Sequence, residues 1–182
     1  MGVLKPCFQI LPPAQQRLWP ELRRAPQLGF ALYGGTAIAL RLGHRQSVDF
    51  DFFSPDPLDR EAIKAGFPFV ARSQVLQDRQ NTLTVSVSFG TQRLVKVSFF
   101  GNIGFGRVGE PDLTEDGVLQ VASLDDLMAT KVKVILQRAE AKDYRDIAAM
   151  LNVGVSLEKG LSAARLLYGV NFQPSESLKA LV

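Results

Sequence analysis

The stretch "LYGGTAIALRLGHRQSVDFDFFSP", Leu32 to Pro55, decides how the rest of the chain is read. It packs two adjacent glycines, a His-Arg pair and an Asp-x-Asp into one short span. Gly29 to Tyr33 reads as a brief apolar strand running into Gly34-Gly35. Thr36 to Leu42 reads as a helix that Thr36 can cap, and Val48 to Phe53 as a strand by alternation and aromatic content. In a strand, residues i and i+2 point to the same side about 6.5–7 Å apart. Asp49 and Asp51 therefore share a face with Ser47, while Val48, Phe50 and Phe52 turn to the core. Like charges at that separation stay ionised comfortably only in water or with a cation between them. Carboxylates are preferred ligands of Mg²⁺, and Mg²⁺ recruits nucleotide phosphates. Glycines at a strand-to-helix junction let backbone N–H groups approach an anion, and the helix adds its positive dipole end. A triphosphate thus fits between the glycine turn and a metal on Asp49 and Asp51, with His44 and Arg45 near enough to contact phosphate. Singly, each feature has a bland use: glycines make turns, and an Asp-x-Asp can be a solvated strand face. Their order and spacing together point to a metal-nucleotide site.

Around this segment the pattern changes character partway along the chain. Pro13 to Arg24 reads as a short amphipathic helix and Leu58 to Ala65 as another, after the breaker Ser54-Pro55-Asp56-Pro57. Phe69 to Leu76, Thr82 to Phe89 and Gln92 to Phe100 read as strands, with turns at Gln80-Asn81 and Gly90-Thr91. "GNIGFGRVGEP", Gly101 to Pro111, is glycine-rich loop, and Gly117 to Val121 reads as one more strand. From Ser123 onward the sequence turns helical. Ser123 with Asp126 resembles a capping box, and Leu124, Leu127, Met128, Lys131, Ile135 and Arg138 follow one helical face. Tyr144 to Leu151 and Ser156 to Leu167 are two further helices. The expectation is an α+β core over residues 1–122 with C-terminal helices over 123–182, joined by no linker and sharing a core.

Composition narrows the class. The chain has 182 residues, 46% hydrophobic and 21% charged, with a net charge of +3; these are ordinary for a globular protein. The basic residues are scattered, which allows a phosphate-bearing partner without demanding one. Cys7 is the only cysteine, which excludes an internal disulfide framework and fits a reducing cytoplasm. No apolar run approaches the ~20 residues that cross a bilayer, and no signal-peptide layout opens the chain. A cytoplasmic protein without a membrane segment is expected.

"GGTAIALRLGHRQSVDFDFF" closely resembles the signature of the abortive-infection nucleotidyltransferases, the AbiEii/AbiGii toxin family, within the polymerase-beta-like nucleotidyltransferase superfamily. Gly34, Gly35, Thr36, Ala37, Gly43, His44, Arg45, Ser47, Asp49 and Asp51 carry the likeness. "SLDDLMATKVKVILQRAEAKDYRDIAAML" resembles the family's second, helical motif through Lys131, Arg138, Lys142, Asp143 and Asp146. The resemblance implies a nucleotidyltransferase-like mixed β-sheet with flanking helices. It implies transfer of a nucleoside monophosphate from a nucleoside triphosphate to an RNA or protein acceptor, with Mg²⁺ or Mn²⁺ as cofactor and an antitoxin protein as partner. By position, Asp49 and Asp51 would hold metal and act in catalysis with Lys131. Gly34, Gly35, Thr36, Arg45, Ser47, Lys96, Arg138 and Asp143 would serve the nucleotide.

Lys131 stands out independently, because a lysine on an apolar stripe must snorkel or meet an anion. Lys142 and Asp146 have the spacing of an i, i+4 surface pair, whereas Asp143 and Asp146 share a face from which they could brace basic residues. One position departs from the superfamily pattern. In "RLVKVSFF", Arg93 to Phe100, Ser98 stands where a third carboxylate is expected beside Lys96. A neutral hydroxyl is a poor Mg²⁺ ligand, so the alternative expectation is a catalytically impaired nucleotide- or partner-binding module on the same fold. The nearest later carboxylates, Glu110 and Asp112, would have to fold back to replace it.

Overall fold

A computed structural model of the chain describes residues 2–90, 94–138 and 140–182. Its centre is one mixed sheet of eight strands: β1 (Val3–Leu4), β2 (Ala31–Tyr33), β3 (Asp49–Phe53), β4 (Gln74–Arg79), β5 (Thr82–Ser88), β6 (Leu94–Phe100), β7 (Asp112–Thr114) and β8 (Gln120–Val121). The spatial order is β1-β7-β8-β2-β3-β6-β5-β4. β3 runs antiparallel to β2 and parallel to β6, so the acidic strand lies inside the sheet with both neighbours fixing its register. Among the described residues seven α-helices accompany the sheet: α1 (Pro13–Leu18), α2 (Gly34–Leu42), α3 (Arg60–Gly66), α4 (Leu124–Val134), α5 (Ala141–Asn152), α6 (Leu157–Tyr168) and α7 (Pro174–Ala180).

Period-two alternation sorts the central strands into two faces. Phe50 and Phe52 of β3, Val95, Val97 and Phe99 of β6, and Leu83, Val85 and Val87 of β5 are buried. With Phe30, Phe67 and Trp19 they form an aromatic-rich layer: Phe52 and Phe99 stack with centroids 5.5 Å apart, and Phe67 meets Phe99 at 5.1 Å. Each fully buried ring contributes about 1.5–3 kcal/mol of transfer free energy, enough to pin β3 in one register. The intervening positions, Asp49 and Asp51, Lys96 and Ser98, Thr84 and Ser86, are consequently committed to the opposite face. The core continues without a break past the boundary anticipated at residue 122, since Leu127, Met128, Val132, Ile147, Met150, Ala164 and Phe172 belong to the same cluster of buried residues.

Several expected elements are drawn differently. The helix expected over Pro13–Arg24 stops at Leu18 and tightens into a 3₁₀ turn over Trp19–Leu22, because Pro20 has no N–H to donate to the helical ladder. The strand expected from Phe69 begins at Gln74. Phe69 and Val70 are instead buried in a 3₁₀ turn opened by Pro68. Val48 precedes β3 and is 54% exposed rather than core-facing. Gly117, with φ +69°, turns the chain between β7 and β8, so only Gln120–Val121 of the expected strand pairs. The edge strand β1, its neighbour β7 and the helix α7 were not anticipated. α4 ends at Val134, which leaves Arg138 beyond the helix. Thr91, Gln92 and Arg93, expected in the turn and at the start of β6, lie outside the described residues. Ser123 caps α4 as expected, accepting from the Asp126 N–H at 3.1 Å, and Asp126 Oδ2 accepts from the Ser123 hydroxyl at 2.6 Å. The same carboxylate accepts from Val108 and Gly109 N–H at 2.8 and 3.0 Å, tying down the glycine-rich loop. Among the described residues, no helix is long and apolar enough to cross a membrane.

Candidate active site

The polar face of the sheet floors a cleft of about 650 Å³. Asp49, Asp51, Lys96, Ser98 and Thr84 line its floor, Gly34 and Gly35 one end, and Arg45, Lys131, Arg138 and Lys142 its walls. The register builds the floor directly: Asp49 lies opposite Lys96, Asp51 opposite Ser98, and Ser98 opposite Thr84. Lys96 Nζ is 3.1 Å from Asp49 Oδ2, with both side chains partly open to solvent. Burial pushes the Asp51 carboxyl above its ordinary value, and the charge of Asp49 adds to that push. Lys96, a hydrogen bond from Ser98 and the charge of Lys131 pull the other way without cancelling it.

The two glycines have separate local reasons. Gly34 has φ +72°, in the left-handed region that favours glycine, and a Cβ there would lie 2.8 Å from Asp51 Oδ2. A Cβ on Gly35 would collide with Arg45 Nη2. α2 starts at this pair with no side chain capping it, so its first N–H groups are available at the end of the cleft. Thr36 was expected to cap α2 and instead sits within it. Its hydroxyl hydrogen-bonds with Ser47 at 2.8 Å and donates to the Asp49 carbonyl, fastening the helix to the start of β3.

The basic wall is held from behind. Lys131 Nζ is 2.6 Å from Asp143 Oδ1 and 2.7 Å from Asp146 Oδ2, with the lysine side chain 6% exposed and both carboxylates buried. Arg45 grips Asp146 with two bonds, Nε to Oδ1 at 2.6 Å and Nη2 to Oδ2 at 2.8 Å. His44 Nε2 lies 2.8 Å from the same Oδ1. Arg138 donates to Asp143 Oδ2 at 3.1 Å. Burial raises the Asp146 carboxyl, but Arg45, Lys131 and His44 outweigh it and hold the group below its ordinary value. Asp143 therefore stands behind the cleft wall and touches Lys131 and Arg138, not the cleft itself. Lys142 pairs with Glu140 at 2.8 Å rather than with Asp146. Glu110 and Asp112 do not fold back: Glu110 pairs with Arg107 at 2.9 Å and Asp112 with Arg41 at 2.8 Å.

Thr84 and Phe53, which also line the cleft, were not singled out in the sequence. The alternation Thr82, Thr84, Ser86 against Leu83, Val85, Val87 is the signal that places Thr84 on the polar face. Among the described residues no group of three or more His, Cys, Asp or Glu is placed to share an ion. Asp49 and Asp51 form a pair, and a pair suits Mg²⁺, which commonly takes one or two carboxylates and fills its octahedron with water and phosphate oxygens. The half-buried, mutually repelling carboxylates fit a divalent cation.

A model of the nucleotidyl transferase AbiEii toxin family, assigned to type IV toxin–antitoxin systems, matches residues 21–175. The chain belongs to this family. An uncharacterized protein of Aquifex aeolicus is 32% identical over 120 residues, covering 65% of this chain and 55% of that protein. The chain thus aligns with about half the length of that relative. Among solved structures, MenT4, a nucleotidyltransferase toxin from Mycobacterium tuberculosis, superposes with a TM-score of 0.60 at 18% identity. That match covers 83% of this chain and 62% of MenT4. The antibiotic-resistance factor ANT(2'')-Ia gives 0.59 at 14% identity, over 82% of this chain and 89% of that one. These likenesses show the fold: the mixed sheet with flanking helices is the nucleotidyltransferase fold. Nucleotidyltransferases of this family generally use a divalent metal, which agrees with the carboxylate pair.

Proposed function

We propose that this protein transfers a nucleoside monophosphate from a nucleoside triphosphate to a hydroxyl of an RNA or protein acceptor, as the toxin of a toxin–antitoxin pair with a protein antitoxin. The observation that carries this reading is one cleft combining Asp49 and Asp51 on its floor, an uncapped helix start at Gly34-Gly35, and a wall of Arg45, Lys131, Arg138 and Lys142. Asp49 and Asp51 would hold Mg²⁺ or Mn²⁺. Bound there, the ion supplies charge neutralisation to the phosphates and acidity to an oxygen it contacts.

The chain's own groups do the rest. The N–H groups of Gly34 and Gly35 hold phosphate oxygens, with Thr36 and Ser47 setting the α2–β3 corner that presents them. Lys131 and Arg45, immobilised by Asp143 and Asp146, meet negative charge without reorganising. Arg138 and Lys142, both about half exposed, guide the triphosphate in. Phe53, Phe100 and Leu76 offer apolar surface for the base. The acceptor oxygen forms a bond to the α-phosphorus, and the bond from that phosphorus to the β-bridging oxygen breaks. The electron pair leaves with pyrophosphate, and the hydroxyl proton passes to water.

The test is incorporation of labelled nucleotide, across the four triphosphates, into RNA and protein acceptors with Mg²⁺ or Mn²⁺. Asp49→Ala should lower labelling about a thousandfold, corresponding to the several kcal/mol that a bound metal contributes. Wild-type protein that neither labels any acceptor nor binds any triphosphate would overturn the reading. Ser98 favours one second reading, binding without turnover. It predicts metal-dependent triphosphate affinity in the wild type and labelling only in Ser98→Asp.

A further inference from the structure

We infer that the cleft takes one divalent ion rather than two, and that the Lys96 ammonium supplies the second positive charge to the triphosphate. The inference rests on the metal-nucleotide reading above and adds the metal count and a role for Lys96. Along the floor of the cleft the register gives carboxylate, hydroxyl, hydroxyl: Asp51 on β3, Ser98 on β6, Thr84 on β5. Ser98 is buried and lies opposite Asp51 in the β3–β6 register. A second divalent ion beside the first would sit about 3.5–4 Å away and would need its own negative ligands to offset the repulsion. This row offers it neutral oxygen, and the other nearby acids are engaged elsewhere. Asp143 and Asp146 are sealed against Lys131, and Glu110 and Asp112 pair with arginines away from the residues that line the cleft.

Two carboxylates face the cleft floor, and Lys96 Nζ, 3.1 Å from Asp49, offsets one of them. Lys96 is also free to change partners. Its side chain is 43% exposed, and an ammonium on a flexible stem can swing from Asp49 to a phosphate oxygen once an ion engages that carboxylate.

The experiment counts Mn²⁺ bound per chain by electron paramagnetic resonance, with a triphosphate whose α–β bridge is a non-hydrolysable methylene group. The wild type is expected to bind one Mn²⁺ tightly, with any second at least about tenfold weaker. Ser98→Asp, read beside its thermal midpoint, should gain a second tight ion. Lys96→Ala should shift two affinities in opposite directions. Mn²⁺ alone binds more tightly, because Asp49 has lost its competitor. The triphosphate binds about tenfold more weakly, the loss expected of one charge-assisted hydrogen bond. A lysine that merely supported the fold would not move the two oppositely. Two tight Mn²⁺ ions in the wild type would overturn this inference and leave the proposed function standing. Unchanged triphosphate affinity in Lys96→Ala would overturn the role of Lys96. No Mn²⁺ and no triphosphate bound would overturn the proposed function as well.

Discussion

Two pairs of aspartates sit on either side of one cleft and live under opposite electrostatic regimes. Asp49 and Asp51, on a strand, face the cleft with Lys96 as the ion-pair partner of Asp49. Asp143 and Asp146, on a helix, are fully buried and share Lys131, Arg138, Arg45 and His44. The first pair has more negative charge than its surroundings neutralise, and the second is neutralised before any ligand arrives. On the proposed function, the difference separates a site that would recruit a cation from a brace that positions cations. Protonation follows suit: the Asp51 carboxyl is held above its ordinary 3.8 and that of Asp146 below it.

The largest effect expected from this contrast is at Asp146. Asp146→Ala strands Arg45 and much of the charge of Lys131 in a buried place, and breaking such a pair costs about 3–5 kcal/mol. At roughly 2–4 °C per kcal/mol for a chain of this size, the melting midpoint should fall by about 10 °C. Because the folded-state pKa of Asp146 is depressed, the unfolded chain binds its proton more readily. The stability that Asp146 contributes is therefore present above pH 3.8 and lost as pH falls through the lower, folded value. Asp146→Asn should flatten that acid limb in a pH series of melts. A midpoint within about 1 °C of wild type would mean that the brace is not needed.

Asp51 should behave in the opposite sense. Its folded-state pKa is raised, so the folded chain holds the proton more tightly, and its ionisation costs stability as pH rises above 3.8. Asp51→Asn should therefore melt higher than wild type without metal, by about 2–4 °C or less, and the gain should be absent below pH 3.8. The same substitution should weaken metal-dependent triphosphate binding by at least about tenfold, one metal–carboxylate contact having been lost. A variant that melts lower and binds normally would place Asp51 with the structural acids instead.

How far this contrast could be read in the sequence depended on range. The glycine pair, the Asp-x-Asp and the strand that carries them are local patterns, and β3 forms within one residue of its expected start. The bracing of Lys131 was half visible, since Asp143 and Asp146 share a helical face and Lys131 interrupts an apolar stripe. Arg45 is about a hundred positions from Asp146, with |i−j| of 101, and no periodicity reports a pairing over that distance. Local spacing also misled: Lys142 and Asp146 have i, i+4 geometry, yet Asp146 turns inward while Lys142 meets Glu140. The apolar run at Phe69-Val70 read as strand because burial in a 3₁₀ turn and burial in a sheet leave the same composition.

The two regions meet at the glycine pair, and the effect expected there vanishes when a second residue is changed. Gly35 does not occupy the left-handed region, so an alanine is tolerable to its backbone. Only the guanidinium of Arg45 stands where the Cβ would go, and its bidentate grip on Asp146 keeps it from yielding cheaply. Gly35→Ala should cost about 1–3 kcal/mol as an overpacking change. In an Arg45→Ala background the obstacle is gone. The same change should then cost nothing, or stabilise α2 by about 0.5–1 kcal/mol, because alanine is the better helix former. The double-mutant cycle isolates this coupling. Additive effects across it would show that Gly35 is glycine for some reason other than Arg45, and the link from the brace to the glycine end of the cleft would have to run through another residue.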